Sequence, residues 1–341
     1  MNDLVSSNDV LVKMRGLSVF NMWISQMIYA AAKLGIADLL HEGPRRSEDL
    51  AADVGADPDA LHRVLRALTG AGVFTELPEK RFALNPLGAS LRTGVPGSMR
   101  ALVLLFCGEV YARAWAELLS SVESGKTAVE HVFGSPLYPY LARHPEDARL
   151  FDEAMTSLTA VENAAIAARY DFSALRTLVD VGGGHGSLLG AIVAQNAGLR
   201  GILFDQPHII DGAAARVAAG PMAGRCDLVA GSFFESVPPG ADAYMLKHIV
   251  CNWDDASATK ILATCHRAMK PAGRILVIES VLGHSAVAEL LDVHLLTVVG
   301  GRMRTEEEHR ALFAAAGFRL SRLLPTDVGL QLVVMEGTRL P

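Results

Sequence analysis

A strand that ends in Asp and runs straight into a cluster of glycines limits how the middle of this 341-residue chain can fold. The run is Leu178-Val179-Asp180-Val181-Gly182-Gly183-Gly184-His185-Gly186, and a helical pattern follows from Ser187 to Val193. Glycines at such a junction let the backbone turn tightly and come close to a ligand with no Cβ in the way. The helix start adds unpaired N–H groups. A second acid, Asp205, closes the apolar stretch Gly201–Phe204, nineteen residues beyond Gly186. An α/β nucleotide site puts the carboxylate that holds a ribose diol at that spacing. The junction therefore reads as a site for a nucleoside-bearing cofactor.

Two features separate the candidate cofactors. A dinucleotide site needs a third, later glycine for helix packing beside a pyrophosphate, and here Ser187 and Leu188 follow instead. Such a site also tends to open its domain, whereas this loop follows about 180 residues of other sequence. S-adenosylmethionine (SAM) carries no phosphate, and a compact Gly-Gly-Gly-x-Gly loop with an acidic ribose clamp suits it better.

The bulk composition narrows the partners. Net charge is −6, so nothing in the balance calls for nucleic acid or an acidic membrane. Residues 1–100 hold eleven Lys/Arg against eleven acids, which leaves no basic face for phosphate contacts. The four cysteines, Cys107, Cys226, Cys251 and Cys265, are scattered with no C-x-x-C spacing. With no signal-peptide pattern they read as reduced thiols in a cytoplasm, and no His/Cys/Asp spacing suggests a metal. The apolar stretch Phe20–Leu40 is interrupted by Asn21, Gln26 and Lys33, so it reads as a buried or interfacial helix and not a membrane span.

Three regions follow. Residues 1–100 give a long helical pattern broken near Gly35, helices starting at Ser47 and Asp57, and strands Val73–Glu76 and Arg81–Leu84 flanking a turn at 78–80. That order is winged-helix-like, and its expected use is homodimerisation through Phe20–Leu40, not DNA binding. Residues 101–170 read as a helical linker and substrate roof with a looser insert at Gly134–Pro139. Residues 171–341 alternate strands and helices, with strands expected at Thr177–Val181, Gly201–Phe204, Cys226–Ala230, Ala243–Lys247, Arg274–Ile278, Leu320–Leu324 and Leu330–Met335. Helices are expected at Ser187–Asn196, Asp254–Met269 and Thr305–Ala316. The fold class is α/β, Rossmann-like, with a doubly wound, mainly parallel sheet and ligand at the carboxyl ends of its first strands.

Five motifs carry a resemblance: Asp180–Gly186, Gly231–Glu235 followed by Val237-Pro238, Leu246–Asp255, Met269–Glu279 and Gly300–Glu306. Over nearly its whole length the chain resembles the SAM-dependent O-methyltransferases that include plant caffeate-type and bacterial natural-product enzymes. The resemblance implies that Gly182 and Gly184 cradle the methionine part of SAM and that Asp205 holds the ribose. It places Phe233 as an apolar wall for the adenine, and Ser232 where the family usually has Asp. Lys247 matches a family lysine near the adenine edge, or is a solvated strand end. Met155 matches a methionine that packs on an aromatic acceptor, and core packing accounts for it equally well.

The departures from the pattern bear on the chemistry. The family's Leu-Lys-x-x-x-His-Asp-Trp motif carries a His general base, and here Cys251 and Asn252 stand at those positions. Met303 replaces a carboxylate that helps to orient that His, while Glu279, the other supporting acid, is present. In this respect the site is similar to those of His-lacking anthracycline-pathway members. Losing a general base costs a factor of about 10²–10⁴. Proximity and alignment supply on the order of 7–11 kcal/mol. Methyl transfer to a small aromatic or polyketide-type metabolite is therefore expected to work by positioning, on oxygen first, with nitrogen and carbon as variants. Asn252 is the candidate for orienting the acceptor, and Cys251 reads as a small pocket residue. His294 either faces the pocket with Asp292 behind it or is a satisfied core histidine. Two alternatives stay open at this point: a cyclase or hydroxylase-like enzyme that keeps SAM as a ligand, and a non-catalytic partner subunit.

Overall fold

The computed structural model describes residues 7–326 and 328–340. The termini of the expected first and last domains, 1–6 and 341, lie outside the described residues. Two compact units divide the chain: one runs through Ala112 and adds Arg149–Ser157, and the other comprises Arg113–Ala148 and Leu158–Pro341.

In the first unit, Asp57 accepts the Ala60 N–H at 2.8 Å and Pro58 opens the helix Pro58–Gly70. Its apolar face, Leu61, Leu65 and Leu68, buries against Leu50, Phe74 and Phe82. Strands β1 (Arg45–Arg46), β2 (Phe74–Leu77) and β3 (Arg81–Leu84) form a small antiparallel sheet in the order β1-β3-β2. The turn between β2 and β3 puts Glu79 and Lys80 at φ 63° and 57°. The expected long N-terminal helix is divided into a π turn at Gly16–Phe20 and α-helices Asn21–Lys33 and Ile36–Leu39, with Gly35 left-handed between the last two. Val10, Leu11, Val12, Met14, Leu17, Phe20, Met22 and Trp23 lie exposed along residues 7–33. An apolar surface of that kind marks an interaction face.

The second unit is built on β4 (Thr177–Val181), β5 (Arg200–Asp205), β6 (Cys226–Ala230), β7 (Ala243–Lys247), β8 (Arg274–Glu279), β9 (Phe318–Pro325) and β10 (Val333–Arg339). Their order is β6-β5-β4-β7-β8-β10-β9. The pairs from β6 to β8 are parallel, and β10 is antiparallel to both β8 and β9. From β4 the chain winds outward to β5 and β6, then returns to β7 on the other side. The switch point thus falls between β4 and β7, where an open α/β sheet binds its ligand.

Alternate residues of each strand feed two cores, as a sheet covered on both faces requires. Val179, Tyr244, Leu246, Ile275 and Val277 pack beneath Asp255–Ala268 and Glu306–Ala315. Leu178, Leu203, Met245, Leu276 and Ile278 pack beneath Ser187–Gln195 and Pro207–Ala219.

Two segments differ from the sequence expectation. The looser insert at 134–139 is shorter, because Leu137 already begins the helix Leu137–Arg143. The last strand starts at Val333 and not at Leu330, because Gln331 takes φ 52° in a turn and Glu162 Oε1 accepts the Leu330 N–H at 3.2 Å. No helix among the described residues is long and apolar enough to cross a membrane.

Phe313 sits fully buried between helix Glu306–Ala315 and the sheet, 6.3 Å from the Phe318 ring. Truncation there leaves a cavity the sheet cannot close. Phe313→Ala should lower unfolding free energy by about 3–5 kcal/mol in chemical denaturation; a loss under about 1 kcal/mol would contradict this packing.

Candidate active site

Three loops meet at the carboxyl ends of β4, β6 and β7. Gly182 is left-handed, at φ 70°, and a Cβ on it would meet Ile249 Cδ1 at 2.5 Å, with Phe233 Cε1 at 3.7 Å. Gly184 is also left-handed, and a Cβ there would meet nothing within 4 Å, so this glycine faces open space. The Gly184 N–H donates to Asp205 Oδ2 at 2.9 Å, and the Gln206 N–H donates to Oδ1 at 2.7 Å. Burial pushes the Asp205 carboxyl up, and those two N–H groups oppose the shift. Asp180, buried under the loop, is pushed to about 7 by burial and by Asp205. Ser232 Oγ accepts the Phe234 N–H at 3.3 Å, which shapes the turn that carries Phe233.

Beyond β7, Val250–Asn252 make one 3₁₀ turn, entered through His248 at φ 55°. The turn is gripped on several sides. Cys251 N–H donates to Glu279 Oε2 at 3.0 Å, and Cys251 C=O accepts the Arg302 N–H at 2.8 Å. A Cβ on Gly301 would stand 2.0 Å from Cys251 O, so only glycine lets that loop come so close. Arg304, fully buried, donates to Val250 O at 3.2 Å, to Trp253 O at 2.9 Å and to Asp255 Oδ1 at 2.8 and 2.9 Å. Asn252 Nδ2 donates to Tyr138 Oη at 3.0 Å and to His248 O at 2.8 Å. Trp253 lies edge-on to Phe234 and Phe233, and Tyr138 stacks on it with planes 21° apart. The result is an aromatic corner beside the glycine loop.

Several expected residues take more definite places. Lys247 is not a solvated strand end: its side chain is 8% exposed, with Nζ 2.9 Å from Glu162 Oε2 and 3.0 Å from Asn163 Oδ1. Asn163 in turn donates to Ser187 Oγ at 3.1 Å, at the start of the helix behind the glycine loop. Burial alone would raise the Glu162 carboxyl, but His248 and Lys247 hold it down at about 2. Asp292 Oδ1 accepts the Met303 N–H at 2.7 Å, so this acid supports the 300–305 loop. Met303 and Cys251 share an apolar cluster with Leu295. His294 stacks on Trp115 at 6.1 Å, and burial lowers its pKa to about 4. Burial, then Glu279, push the Cys251 thiol well up. Met155 is half-buried in the 149–157 segment of the first unit. Tyr138, Glu162, Asn163 and Arg304 were not legible as site residues. Only tertiary contacts across long stretches of chain bring them here.

The comparisons with known proteins agree with this architecture. A family model described as an O-methyltransferase domain matches residues 115–319, and one described as an O-methyltransferase dimerisation domain matches residues 17–94. The chain belongs to the SAM-dependent O-methyltransferases. Its cofactor is SAM, and structural neighbours have been solved with SAM or S-adenosylhomocysteine bound. The chain is 44% identical over 314 residues to a phenazine O-methyltransferase, PhzM, of Lysobacter antibioticus, covering 91% of this chain and 92% of the relative. A 3-amino-4-hydroxybenzoate 4-O-methyltransferase of Streptomyces cremeus is 39% identical, covering 93% and 87%. The crystal structure of LaPhzM superposes with a TM-score of 0.92 at 41% identity, covering 97% of this chain and 99% of that one.

The site residues fit SAM. The left-handed Gly184 leaves open space where a Cβ would stand, Phe233 and Ile249 wall the loop with apolar surface, and Asp205 caps the adjoining strand.

Because the Glu162 carboxyl sits below its ordinary 4.5, its stabilising effect is complete above about pH 4.5 and fades as pH falls towards about 2. Glu162→Gln should therefore melt well below the parent at pH 7, with the gap narrowing between pH 4.5 and 2. A gap independent of pH would contradict the ion pair.

Proposed function

We propose that this enzyme transfers the SAM methyl group to a phenolic oxygen of a small aromatic secondary metabolite, with an aromatic nitrogen as the variant acceptor, and uses no protein base. The observation that carries the reading is Cys251. At the position of the family's His stands a thiol that is 2% exposed and held protonated by burial beside Glu279. A protonated thiol takes no proton from a phenol.

The other groups nearby leave the same conclusion in force. His294 is neutral at physiological pH and, with its pKa near 4, is a weak base. Asn252 does not titrate at all. What remains is alignment: the Trp253, Phe234 and Tyr138 rings hold a flat acceptor, and Asn252 orients its polar edge. Cys251 and Met303 supply apolar volume beneath, and Asp292 holds the Met303 loop in place.

On the cofactor side, Gly182 and Gly184 give the close backbone approach, Asp205 takes the ribose hydroxyls, and Ser232 and Phe233 meet the adenine. Lys247 acts more indirectly, through Asn163 and Ser187, on the helix start behind the loop. SAM, when bound, supplies a methyl group on a sulfonium that any aligned nucleophile displaces downhill. The names of the two relatives, a phenazine and an aminohydroxybenzoate O-methyltransferase, support an aromatic acceptor. Neither supports the cyclase, hydroxylase or partner-subunit alternatives.

The dimerisation domain and the exposed apolar stripe over residues 10–23 support a homodimer. The even charge of the first hundred residues supports no nucleic-acid role, and the four free thiols fit a reducing cytoplasm.

Incubation with SAM and 3-amino-4-hydroxybenzoate or a hydroxyphenazine should release one S-adenosylhomocysteine per product. Asp205→Ala should weaken SAM binding by tenfold or more in calorimetry, from the loss of charge-assisted hydrogen bonds. Cys251→Ala should lose less than about tenfold in kcat. A thousandfold loss in Cys251→Ala with SAM affinity intact would make the cysteine the catalyst and sink the base-free reading.

A further inference from the structure

Asn252 is a flat amide whose two orientations differ only in which end is oxygen and which is nitrogen. In this fold both Nδ2 protons are committed, one to Tyr138 Oη at 3.0 Å and one to His248 O at 2.8 Å. The flipped amide would set its oxygen against the His248 carbonyl, two acceptors facing each other. Only one orientation is therefore satisfied, and it leaves Oδ1 facing the Cys251 thiol at 3.9 Å, a weak donor that a ligand can displace.

The two anchors are themselves held in unusual ways. His248 takes φ 55°, a left-handed backbone that few non-glycine residues adopt, and this directs its carbonyl back onto Asn252. The His248 N–H donates to Ile278 O at 3.0 Å, and its Nε2 lies 3.5 Å from the buried Glu162 carboxylate. Tyr138 comes from the helix Leu137–Arg143, 114 residues earlier in the chain, with its ring parallel to Trp253. A turn that only needed to be stable has no use for a strained histidine and a distant phenol converging on one amide.

We infer that Tyr138 and the left-handed His248 are positioning residues that fix the Asn252 amide in the single orientation from which it aligns the methyl acceptor. The inference rests on the reading above that Asn252 orients the acceptor, and the test separates the two. Both residues act through Asn252 and neither needs to touch the reacting atoms.

A double-mutant cycle reads this directly. With 3-amino-4-hydroxybenzoate as acceptor and S-adenosylhomocysteine release as the assay, Asn252→Ala should lower kcat tenfold or more while KM for SAM stays within twofold. Tyr138→Phe keeps the stacked ring and loses only the hydroxyl, and should lower kcat about three- to tenfold. In the Asn252→Ala background the same Tyr138→Phe change should cost less than twofold. His248→Gly, free to adopt the left-handed backbone, should keep several-fold more activity than His248→Ala. Losses at Tyr138 and Asn252 that simply multiply would overturn the inference and leave the proposed function standing. An Asn252→Ala enzyme within twofold of the parent would overturn the proposed role of Asn252 itself.

A second readout needs no acceptor. In protein labelled with ¹⁵N-asparagine, the Asn252 side-chain signals, identified by their loss in Asn252→Ala, should exchange slowly with solvent. Tyr138→Phe should speed the exchange of one of the two protons. Equal exchange in parent and Tyr138→Phe would overturn the inference whether or not that acceptor is turned over.

Discussion

One buried guanidinium holds the turn that carries Cys251 and Asn252 in place. Arg304 sits in the loop after helix Ala286–Val298 and reaches under the Val250–Asn252 turn, taking the carbonyls of Val250 and Trp253. Val250 O also accepts the Trp253 N–H at 3.3 Å, whereas Trp253 O relies on the guanidinium, and losing a donor to a partly buried carbonyl costs about 1–3 kcal/mol. Asp255 balances the charge from its exposed side. Gly301, with no Cβ to collide with Cys251 O, lets the loop that carries Arg304 close down on the turn. The sheet thus provides the switch point, and Arg304 sets the geometry of what protrudes there.

Beside Arg304, the carboxyl and imidazole groups beneath that turn are pushed towards their neutral forms. Glu279 is fully buried and pushed to about 7 by burial, despite the nearby Arg304 and the Cys251 N–H. His309, 3.5 Å from it, is lowered to about 4. An ionised thiolate on Cys251 would face Glu279 in the same dry space. The arrangement therefore opposes ionisation of the Cys251 thiol. On the base-free reading proposed above, a base worth about 10²–10⁴ is given up. Alignment of the kind proposed for Asn252, Tyr138 and Trp253 draws on a larger reserve, on the order of 7–11 kcal/mol. Acceptors that ionise readily gain most from such a site.

Much of the fold was legible because local signals and burial agreed. Strands Thr177–Val181, Cys226–Ala230 and Ala243–Lys247 end where their β-branched and apolar runs end. The helix Pro207–Ala219 went unread: it starts on Pro207, contains Gly212 and offers little apolar contrast. The two-residue strand Arg45–Arg46 carries no strand pattern and exists only by pairing with Arg81 and Phe82. At the site, the glycine loop and Asp205 were visible because their spacing is itself the signal. Tyr138 and Glu162 were not, because each meets its partner from more than eighty residues away. That Cys251 stands where the family pattern has His was legible, while the grip of Glu279 and Arg304 on that turn showed only in three dimensions.

The claim that no protein group takes the acceptor's proton is tested most directly by single-turnover rates against pH for two phenols of well-separated acidity, with SAM saturating. If alignment alone drives the transfer, the midpoint of each rate profile follows the phenol, moving by the difference between the two acceptors' pKa values. A midpoint that stays at the same pH for both would reveal a titrating protein base and contradict the account.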